Sequence, residues 1–450
     1  MAEPIVKQSA QSAMLGTLFT EAMLLLGTLV TGSLTARLLL PEGRGALAAI
    51  LYWPQLLAGI GLLSVHEATT YRIGSAPESA SSIRASAFWL LTGLAGVTVG
   101  VGCAFIPLLL GRERADLVQQ SQLYLIAFLP FHFMAAGLYA SDQGELHFRR
   151  FNALRLINCA IYLGGVVALW YLGRCTPGMV TAASGAGTIA VAIMRFALQK
   201  GELPTRPSWS EMKQLLTLAG QFHPATVLLF LAVQMDRLIV VTLWDNEALG
   251  KYVVAFSVAS AGLSVVGASF HRVLLPHVAR IADLHDKAML LARSVRQATL
   301  LLVVLSIALG LSMGVVIPLL FGPSFTEVVG TARLLVLGYV GVALRTIVIQ
   351  GLRGVGDGRP GTIAAAMSIG VFLLVAWPLG GSFGLPGVAV GLGLANFAAC
   401  GYLAVYLRHR YQLGIRDLWG LNGATAGDLW TGTLRRMTAA RRRVEALVAP

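Results

Sequence analysis

Charged residues inside long apolar runs are the side chains of this sequence that could do chemistry. Arg237 and Arg345 each lie within such a run, and a guanidinium can hold a phosphate group through two parallel hydrogen bonds. Glu21 and Asp236 also lie within apolar runs, and their carboxylates could hold a proton or a cation. An ionisable group at the centre of a membrane helix costs about 2.5–3.5 kcal/mol on insertion scales, so each of these residues is a candidate site residue.

Three histidines extend this set. His132 lies in the middle of an apolar run, where an imidazole could titrate near neutral pH. His66 and His271 end two similar tripeptides, Ser-Val-His and Ser-Phe-His. Their equivalent positions make them candidates for a cytoplasmic gate or for contacts to a polar headgroup.

Each of these residues also has a structural explanation. An arginine or Glu21 could form an ion pair that joins two helices, and a histidine could be packed with its ring nitrogens hydrogen-bonded. Adjacent residues of a helix point about 100° apart, so Asp236 and Arg237 need not pair with each other. The sequence leaves both explanations open.

The elements that carry these residues are membrane helices. The chain of 450 residues is 56% hydrophobic and 12% charged, and its mean hydropathy is +0.73. Soluble domains have about one quarter charged residues, so this chain cannot cover a water-facing surface. The 50 glycines fit helices that pack closely in a membrane. The four cysteines are scattered and lie mostly in apolar segments, which indicates neither a metal site nor a disulfide framework.

About twelve apolar segments reach the roughly 20 residues that a membrane span needs. The first six are centred on residues 14–36, 46–68, 86–110, 119–140, 153–172 and 179–197. The last six are centred on residues 222–243, 251–275, 297–320, 332–352, 361–380 and 386–407. This all-α pattern predicts an N-terminal six-helix lobe over 1–198, a cytoplasmic linker over 199–214, a C-terminal six-helix lobe over 215–407 and a basic cytoplasmic tail over 408–450.

The positions of lysine and arginine predict the orientation of the spans. If the N-terminus is cytoplasmic, most of these residues fall in the inner loops and the tail, and a minority fall in the outer loops. Cytoplasmic loops carry such an excess, so both termini are predicted to be cytoplasmic. The segment Pro41–Gly45 is then an outer-face turn.

The two halves of the chain are similar. Gly45 aligns with Gly250 at an offset of 205 residues (250 minus 45), and the same offset aligns the two histidine tripeptides. Further along, IPLLLG (106–111) matches IPLLFG (317–322), and Pro177-Gly178 matches Pro386-Gly387. Because each half has an even number of spans, the sequence predicts two parallel repeats with the substrate path between them.

The motifs of an enzyme or an ATP-driven pump are absent from the sequence. It contains no glycine-rich phosphate loop, no zinc-spaced histidine pair and no Ser-x-x-Lys motif in a plausible context. The predicted outer loops are short, which leaves little polar chain to hold catalytic groups. The sequence therefore favours a secondary transporter or a passive conduit, with no cofactor and with coupling to Na⁺ or H⁺ as an option.

Three segments resemble the oligosaccharide flippases of the MOP (multidrug/oligosaccharidyl-lipid/polysaccharide) superfamily. They are ARLLLPEGRGALAAI (36–50), MDRLIVVTLWDNEALGKYVVAFSVA (235–259) and QGELHFRRFNALRLIN (143–158). The resemblance implies two six-helix lobes around a V-shaped central cavity and an alternating-access mechanism. It also implies the Wzx-like role of moving a polyprenyl-diphosphate-linked oligosaccharide to the outer leaflet for cell-surface polysaccharide synthesis. The lipid II flippases of this superfamily typically carry two extra spans, which this sequence lacks.

Within this resemblance, each candidate residue receives a role. Arg237, Arg345, His66 and His271 are predicted to contact the diphosphate or line the cavity, and Glu21, Asp236 and His132 are candidates for the coupling ion. The expected partners are the lipid-linked oligosaccharide, membrane lipids and other polysaccharide-assembly membrane proteins, with no nucleic acid, in the inner (cytoplasmic) membrane. The alternatives are a cation-coupled multidrug exporter of the same superfamily and a scaffold of an envelope-assembly complex.

Overall fold

The computed structural model describes residues 10–111, 114–198, 206–280, 283–355, 357–414 and 417–418. Most of the predicted basic tail and the first part of the predicted linker lie outside the described residues. The described residues form only helices, turns and loops.

Twelve α-helices account for most of the described chain, which confirms the all-α fold. They are α1 (Ala10–Gly61), α2 (Val65–Ser75), α3 (Ala80–Leu110), α4 (Ala115–Gly144), α5 (Phe148–Tyr171), α6 (Pro177–Ala197), α7 (Trp209–Leu243), α8 (Asn246–Arg280), α9 (Leu284–Phe321), α10 (Val329–Val355), α11 (Arg359–Phe383) and α12 (Leu385–Tyr411). Two short 3₁₀ helices, Pro77–Ser79 and Pro323–Val328, precede α3 and α10. Among the described residues, 10 helical segments are long and apolar enough to cross a membrane.

The first two predicted spans share the 52-residue helix α1. The helix breaks at Leu40, whose φ of 59° and ψ of 177° are not helical, and Pro41 opens its second part. The second part ends at Gly61, where Leu63 and Ser64 have positive φ, and the chain then continues as α2. The predicted span over 46–68 is therefore divided between two helices.

Large apolar side chains on the helix surfaces face outward. Leu311 and Leu374 each expose 77% of their surface, which in a water-soluble protein would be unfavourable at many sites together. Such surfaces fit hydrocarbon, where the backbone polar groups must pair within the helix.

The repeated sequence motifs take the same local structure in each half. Gly111 ends α3 with φ of 78°, and Gly322 ends α9 with φ of 102°. A proline lies four positions before each glycine, inside the helix. Pro177 and Pro386 both lie in the first two positions of their helices, α6 and α12. Glycine is suited to these helix ends because it has no Cβ to oppose positive φ.

The chain divides into two compact units. One contains residues 1–258 with 314–332, and the other contains 259–313 with 333–450. Helix α7 belongs to the first unit, where it packs against α2 and α3. The predicted boundaries of the two six-helix lobes stay a prediction.

Candidate functional site

Asp236 lies in the middle of a polar cluster on α7, within the first compact unit. Its side chain is 1% exposed, and the Tyr252 hydroxyl of α8 donates a hydrogen bond of 2.9 Å to its Oδ2. Its Oδ1 has no hydrogen-bond partner in the described part of the chain. A buried carboxylate oxygen without a donor is costly, which makes Asp236 a place where a proton or a cation would be stabilising.

Arg237 has partners separate from those of Asp236. Its guanidinium donates to the Gln234 side chain one turn earlier and lies over the Phe256 ring of α8, 4.2 Å from the ring centroid. The backbone carbonyl oxygen of Gln234 accepts a hydrogen bond of 3.0 Å from the Tyr52 hydroxyl of α1. Arg237 Nε is buried and has no partner among the described residues. We call Tyr52, Gln234, Asp236, Arg237, Tyr252 and Phe256 the α7 cluster; it joins α1, α7 and α8.

The two repeat-related turns, residues 41–45 of α1 and 246–250 of α8, are in direct contact. Both lie close in sequence to residues of the α7 cluster. A Cβ atom added to Gly45 would lie 1.5 Å from the Asn246 carbonyl oxygen, and one added to Gly250 would lie 2.0 Å from the Pro41 carbonyl oxygen. The offset of 205 residues converts the pair 45 and 246 into the pair 250 and 41. The contact is therefore reciprocal, and it requires glycine at both positions because no side chain fits between the backbones.

Polar contacts surround this junction on the predicted outer side. Arg37 Nε donates 2.8 Å to the carbonyl oxygen of Leu320, at the C-terminal end of α9, where a cation also complements the helix dipole. Arg114 donates 3.1 Å to the Trp244 carbonyl oxygen at the end of α7. Lys251 lies 2.7 Å from the Glu327 carboxylate. These contacts join the outer ends of α1 and α9, of α4 and α7, and of α8 and the 3₁₀ helix Pro323–Val328.

Glu21 forms an ion pair with α5. Its Oε1 lies 2.7 Å from Arg155 Nη1, and both side chains are about one third exposed at 36% and 26%. Arg155 also lies over the Phe151 ring, with its Cζ 5.1 Å from the centroid. This arrangement is the helix-to-helix pairing that the sequence left open for Glu21.

His66 and His132 lie close enough to interact electrostatically, from α2 and α4 respectively. The His132 side chain is exposed, whereas His66 is half-buried and its Nδ1 has no partner among the described residues. Thr226 of α7 donates to the Glu67 carboxylate at 3.2 Å, next to His66. His271 lies in α8, but its side chain falls outside the description of the structure.

Arg345 lies in the second compact unit and is 2% exposed. Its Nε and Nη1 have no hydrogen-bond partner in the part of the chain that the structure describes. An unpaired buried guanidinium is unfavourable. Arg345 is therefore a buried cation whose Nε and Nη1 have no acceptor among the described residues.

Sequence reasoning missed an ion-pair network centred on Asp142. This carboxylate is 0% exposed at the end of α4, and Arg195 of α6 donates to it through Nε at 3.0 Å and Nη2 at 2.7 Å. Arg150 of α5 donates to the same Oδ1 through Nε at 2.9 Å. Glu145 continues the network to Arg84 of α3. The sequence signal was weak, because Asp142 lies where an apolar run meets a loop and its cations were explained by orientation alone.

The structure thus places the predicted site residues in several locations. Asp236 and Arg237 belong to one cluster, His66 and His132 form a second group in the same unit, and Glu21 is held by α5. Asp142, Glu145 and His147 hold ligand atoms within 4.8 Å of one another, a spacing that a metal ion could use. Their carboxylates already pair with arginines, so this group is an ion-pair network rather than a metal centre.

The helices, their ten apolar segments and their internal ion pairs define a polytopic helical membrane protein. Residues 34–330 match the family described as polysaccharide biosynthesis protein. The chain therefore belongs to that family. A comparison with curated proteins found no match.

Solved structures that share this fold include a lipid flippase and multidrug transporters. A lipid II flippase, MurJ, in an inward closed conformation aligns with a TM-score of 0.73 and 15% identity, over 91% of this chain and 89% of that one. An inward-facing multidrug resistance MATE family transporter of the MOP superfamily aligns with a TM-score of 0.66 and 16% identity, over 91% and 96%. An outward-facing multidrug resistance MATE family transporter of the MOP superfamily aligns with a TM-score of 0.63 and 14% identity, over 89% of this chain and 96% of that one. The predicted resemblance to the MOP superfamily is confirmed at the level of the fold.

Proposed function

We propose that this protein is a flippase that moves a polyprenyl-diphosphate-linked oligosaccharide from the cytoplasmic to the outer leaflet. The observation that supports this proposal is the combination of family and fold. The family name denotes polysaccharide biosynthesis, whereas the fold is shared with a lipid flippase and with transporters. A membrane protein with both properties has the task of moving a saccharide intermediate, and not that of making it. The membrane is then the cytoplasmic membrane, with polysaccharide-assembly proteins as partners.

The α7 cluster supports a diphosphate ligand. Arg237 is half-buried, it lies against an aromatic ring, and its Nε has no partner among the described residues. A guanidinium in such surroundings can donate two parallel hydrogen bonds to phosphate oxygens. Arg345 has spare donors too, and a diphosphate or a rearranged helix would supply the missing partner at another point of the transport cycle.

The reciprocal contact between the two repeat-related turns supports alternating access. The segments around Gly45 and Gly250 contact each other on the predicted outer side. A substrate that leaves toward the outer leaflet between the repeats needs this contact to open.

The test is the sidedness of the lipid-linked oligosaccharide in cells with and without this protein. We expect the lipid-linked oligosaccharide to accumulate in the cytoplasmic leaflet when the protein is absent, and this accumulation to be relieved when the protein is restored. Normal sidedness without the protein would contradict the flippase proposal.

Two arginines test the proposed ligand chemistry. We expect Arg237→Ala and Arg345→Ala each to lower the flipping rate by about tenfold or more, because a charge-assisted hydrogen bond contributes about 1.5–3 kcal/mol. Arg237→Lys and Arg345→Lys keep the charge but lose the planar fork. If both lysine variants flip as fast as the unchanged protein, a point charge suffices and the bidentate contact is wrong. Arg174→Ala, at an exposed turn, is the control.

A cation-coupled multidrug exporter is the second candidate. Two observations favour it, namely the MATE-type fold and the buried, incompletely paired Asp236 carboxylate. Normal leaflet sidedness together with increased sensitivity to cationic dyes on deletion would support this function.

A further inference from the structure

A cavity of about 600 Å³ lies in the second compact unit, between the ends of the four helices α9, α10, α11 and α12. Its polar lining comes from Asp357 in the loop before α11, from Arg359 at the start of α11, and from Tyr402, Tyr406, Arg410 and Tyr411 at the end of α12. We call these six residues the tyrosine pocket. No residue predicted from the sequence as a site residue belongs to it.

Asp357 shapes the wall of the tyrosine pocket. The hydroxyls of Tyr406 and Tyr411 both donate to its Oδ2, the latter at 3.2 Å. The Tyr402 and Tyr406 rings lie 6.4 Å apart, as do the Tyr406 and Tyr411 rings. The carboxylate is thus engaged by neutral donors, and the three rings form one continuous aromatic side.

Arg359 and Arg410 supply the charge of the tyrosine pocket. Both side chains are exposed, and neither forms an ion pair or a hydrogen bond with a described residue. Together with Asp357 they leave the pocket with a net charge of about one positive unit. Two guanidiniums with free donors, beside tyrosine hydroxyls, complement a phosphate group, which accepts several short hydrogen bonds.

The rim of the tyrosine pocket is apolar. Leu284 and Ile363 line it, and they are 49% and 52% exposed. The helix ends that form the pocket lie on the predicted cytoplasmic side of the membrane. A polar pocket with an exposed apolar rim at that level fits a ligand with a polar head and a hydrocarbon tail. Tyrosines are common at membrane interfaces, which explains the rings but not two arginines that pair with no described residue in a concave pocket.

We propose that the tyrosine pocket binds the phosphate group of a lipid with an anionic headgroup in the cytoplasmic leaflet. Basic pockets between membrane helices on this side bind anionic headgroups in general. The site is separate from the α7 cluster, and the proposal does not rest on the flippase function. The lipid is either a membrane phospholipid or a polyprenyl diphosphate carrier, since both present the same phosphate chemistry.

The experiment measures lipid binding to the purified full chain by native mass spectrometry. The unchanged protein and two double variants are titrated with phosphatidylglycerol and, as a zwitterionic comparison, with phosphatidylcholine. Arg359→Gln/Arg410→Gln removes the two pocket cations. Arg353→Gln/Arg408→Gln is the matched control, because it removes two exposed cations near the same helix ends but outside the pocket. Thermal unfolding in detergent verifies that the variants are folded.

We expect the pocket variant to bind phosphatidylglycerol about tenfold or more weakly than the unchanged protein, a change of about 1.4 kcal/mol. The control variant is expected to stay within about twofold, since its arginines attract anionic lipid without holding it. Equal losses in both variants, or equal binding of phosphatidylcholine, would overturn the proposal. Competition by polyprenyl diphosphate, but not by inorganic diphosphate, would assign the site to the lipid carrier; without competition, the ligand is a membrane phospholipid. Flipping is not measured, so the two proposals fail separately.

Discussion

Asp142 is a fully buried carboxylate that accepts hydrogen bonds from two guanidiniums, one on α5 and one on α6. Taking such charges out of water is costly, and the cost is offset only while every partner is present. Residues of this kind therefore show their importance when one partner is removed. They act on the stability of the helix bundle and not on a ligand.

Replacing Asp142 tests this role. We expect Asp142→Ala to lower the free energy of unfolding by about 3–5 kcal/mol, because Arg195 would keep a buried charge without a carboxylate. The double variant Asp142→Leu/Arg195→Leu is expected to lose less, since it removes the two fully buried charges and leaves only the partly exposed Arg150 without this carboxylate. Denaturant unfolding in detergent, followed by circular dichroism, measures the three proteins.

The control for this prediction is Glu327→Gln. It breaks the Lys251–Glu327 ion pair, in which the glutamate side chain is 79% exposed, and exposed pairs contribute about 0–1 kcal/mol. An Asp142→Ala variant as stable as this control would show that the network is dispensable.

At the scale of the helices, the contact of the two repeat-related turns leaves the least room for a side chain among the described glycines. The backbones of residues 41–45 and 246–250 approach so closely that a single methyl group at Gly45 would overlap a carbonyl oxygen. The neighbouring break at Leu40 is also unusual, because its φ and ψ lie in a region that glycine occupies almost alone. Both features set the direction in which the chain leaves the first span.

Gly45→Ala tests whether this contact holds the outer ends together. Spin labels at Glu42 and Glu247, which are exposed and equivalent in the repeat, report the distance between the turns. We expect the substitution to shift the distance distribution to longer values, because backbone atoms cannot move aside as a flexible side chain can. Gly164→Ala is the control, since nothing lies within 4 Å of the added Cβ. An unchanged distribution in Gly45→Ala would contradict the proposed role.

The helices were predicted from the sequence better than their ends were. Each predicted span falls on one helix except the span over 46–68, which is divided between α1 and α2. Two of the four positive-φ glycines among the described residues, Gly111 and Gly322, lie in the repeated motifs. Helix α7 begins at Trp209, well before the predicted span at 222. Its first turns are helical but polar, so a prediction from apolar length does not detect them. The division between α1 and α2 at residues 62–64 was not predicted, since it depends on backbone angles that no turn residue signals.

The sequence identified candidate site residues by their type and position, but it did not predict which residues they contact. Charged residues in apolar runs identified Asp236 and Arg237, but only packing decides that Tyr252 and Phe256 are their partners. Glu21 carried the same signal and turned out to be paired with α5. Asp142 and the tyrosine pocket were missed because their residues lie at helix ends, where charge and aromatic rings are ordinary.

At the scale of the whole molecule, transport against a gradient needs a residue that binds the coupling ion. Asp236 has a buried oxygen that no described residue donates to, whereas the Glu21 carboxylate already lies 2.7 Å from Arg155. We expect Asp236→Asn to abolish any dependence of transport on an imposed proton or sodium gradient, and Glu21→Gln to retain it. Proteoliposomes loaded with the lipid-linked substrate measure both variants. Gradient dependence lost in Glu21→Gln alone would assign coupling to α1, and loss in neither would leave His132 as the remaining candidate.

The reciprocity of the outer turns has a consequence for how such a chain could arise. An isologous interface places the same patch of two identical subunits in contact, so that residue i meets j and j meets i. The pairs 45 with 246 and 250 with 41 reproduce this rule inside a single polypeptide. They are what a homodimer of six-span subunits would form across its twofold axis. We infer that a self-associating half-length ancestor already possessed this junction, and that fusion of its two copies made the dimer permanent.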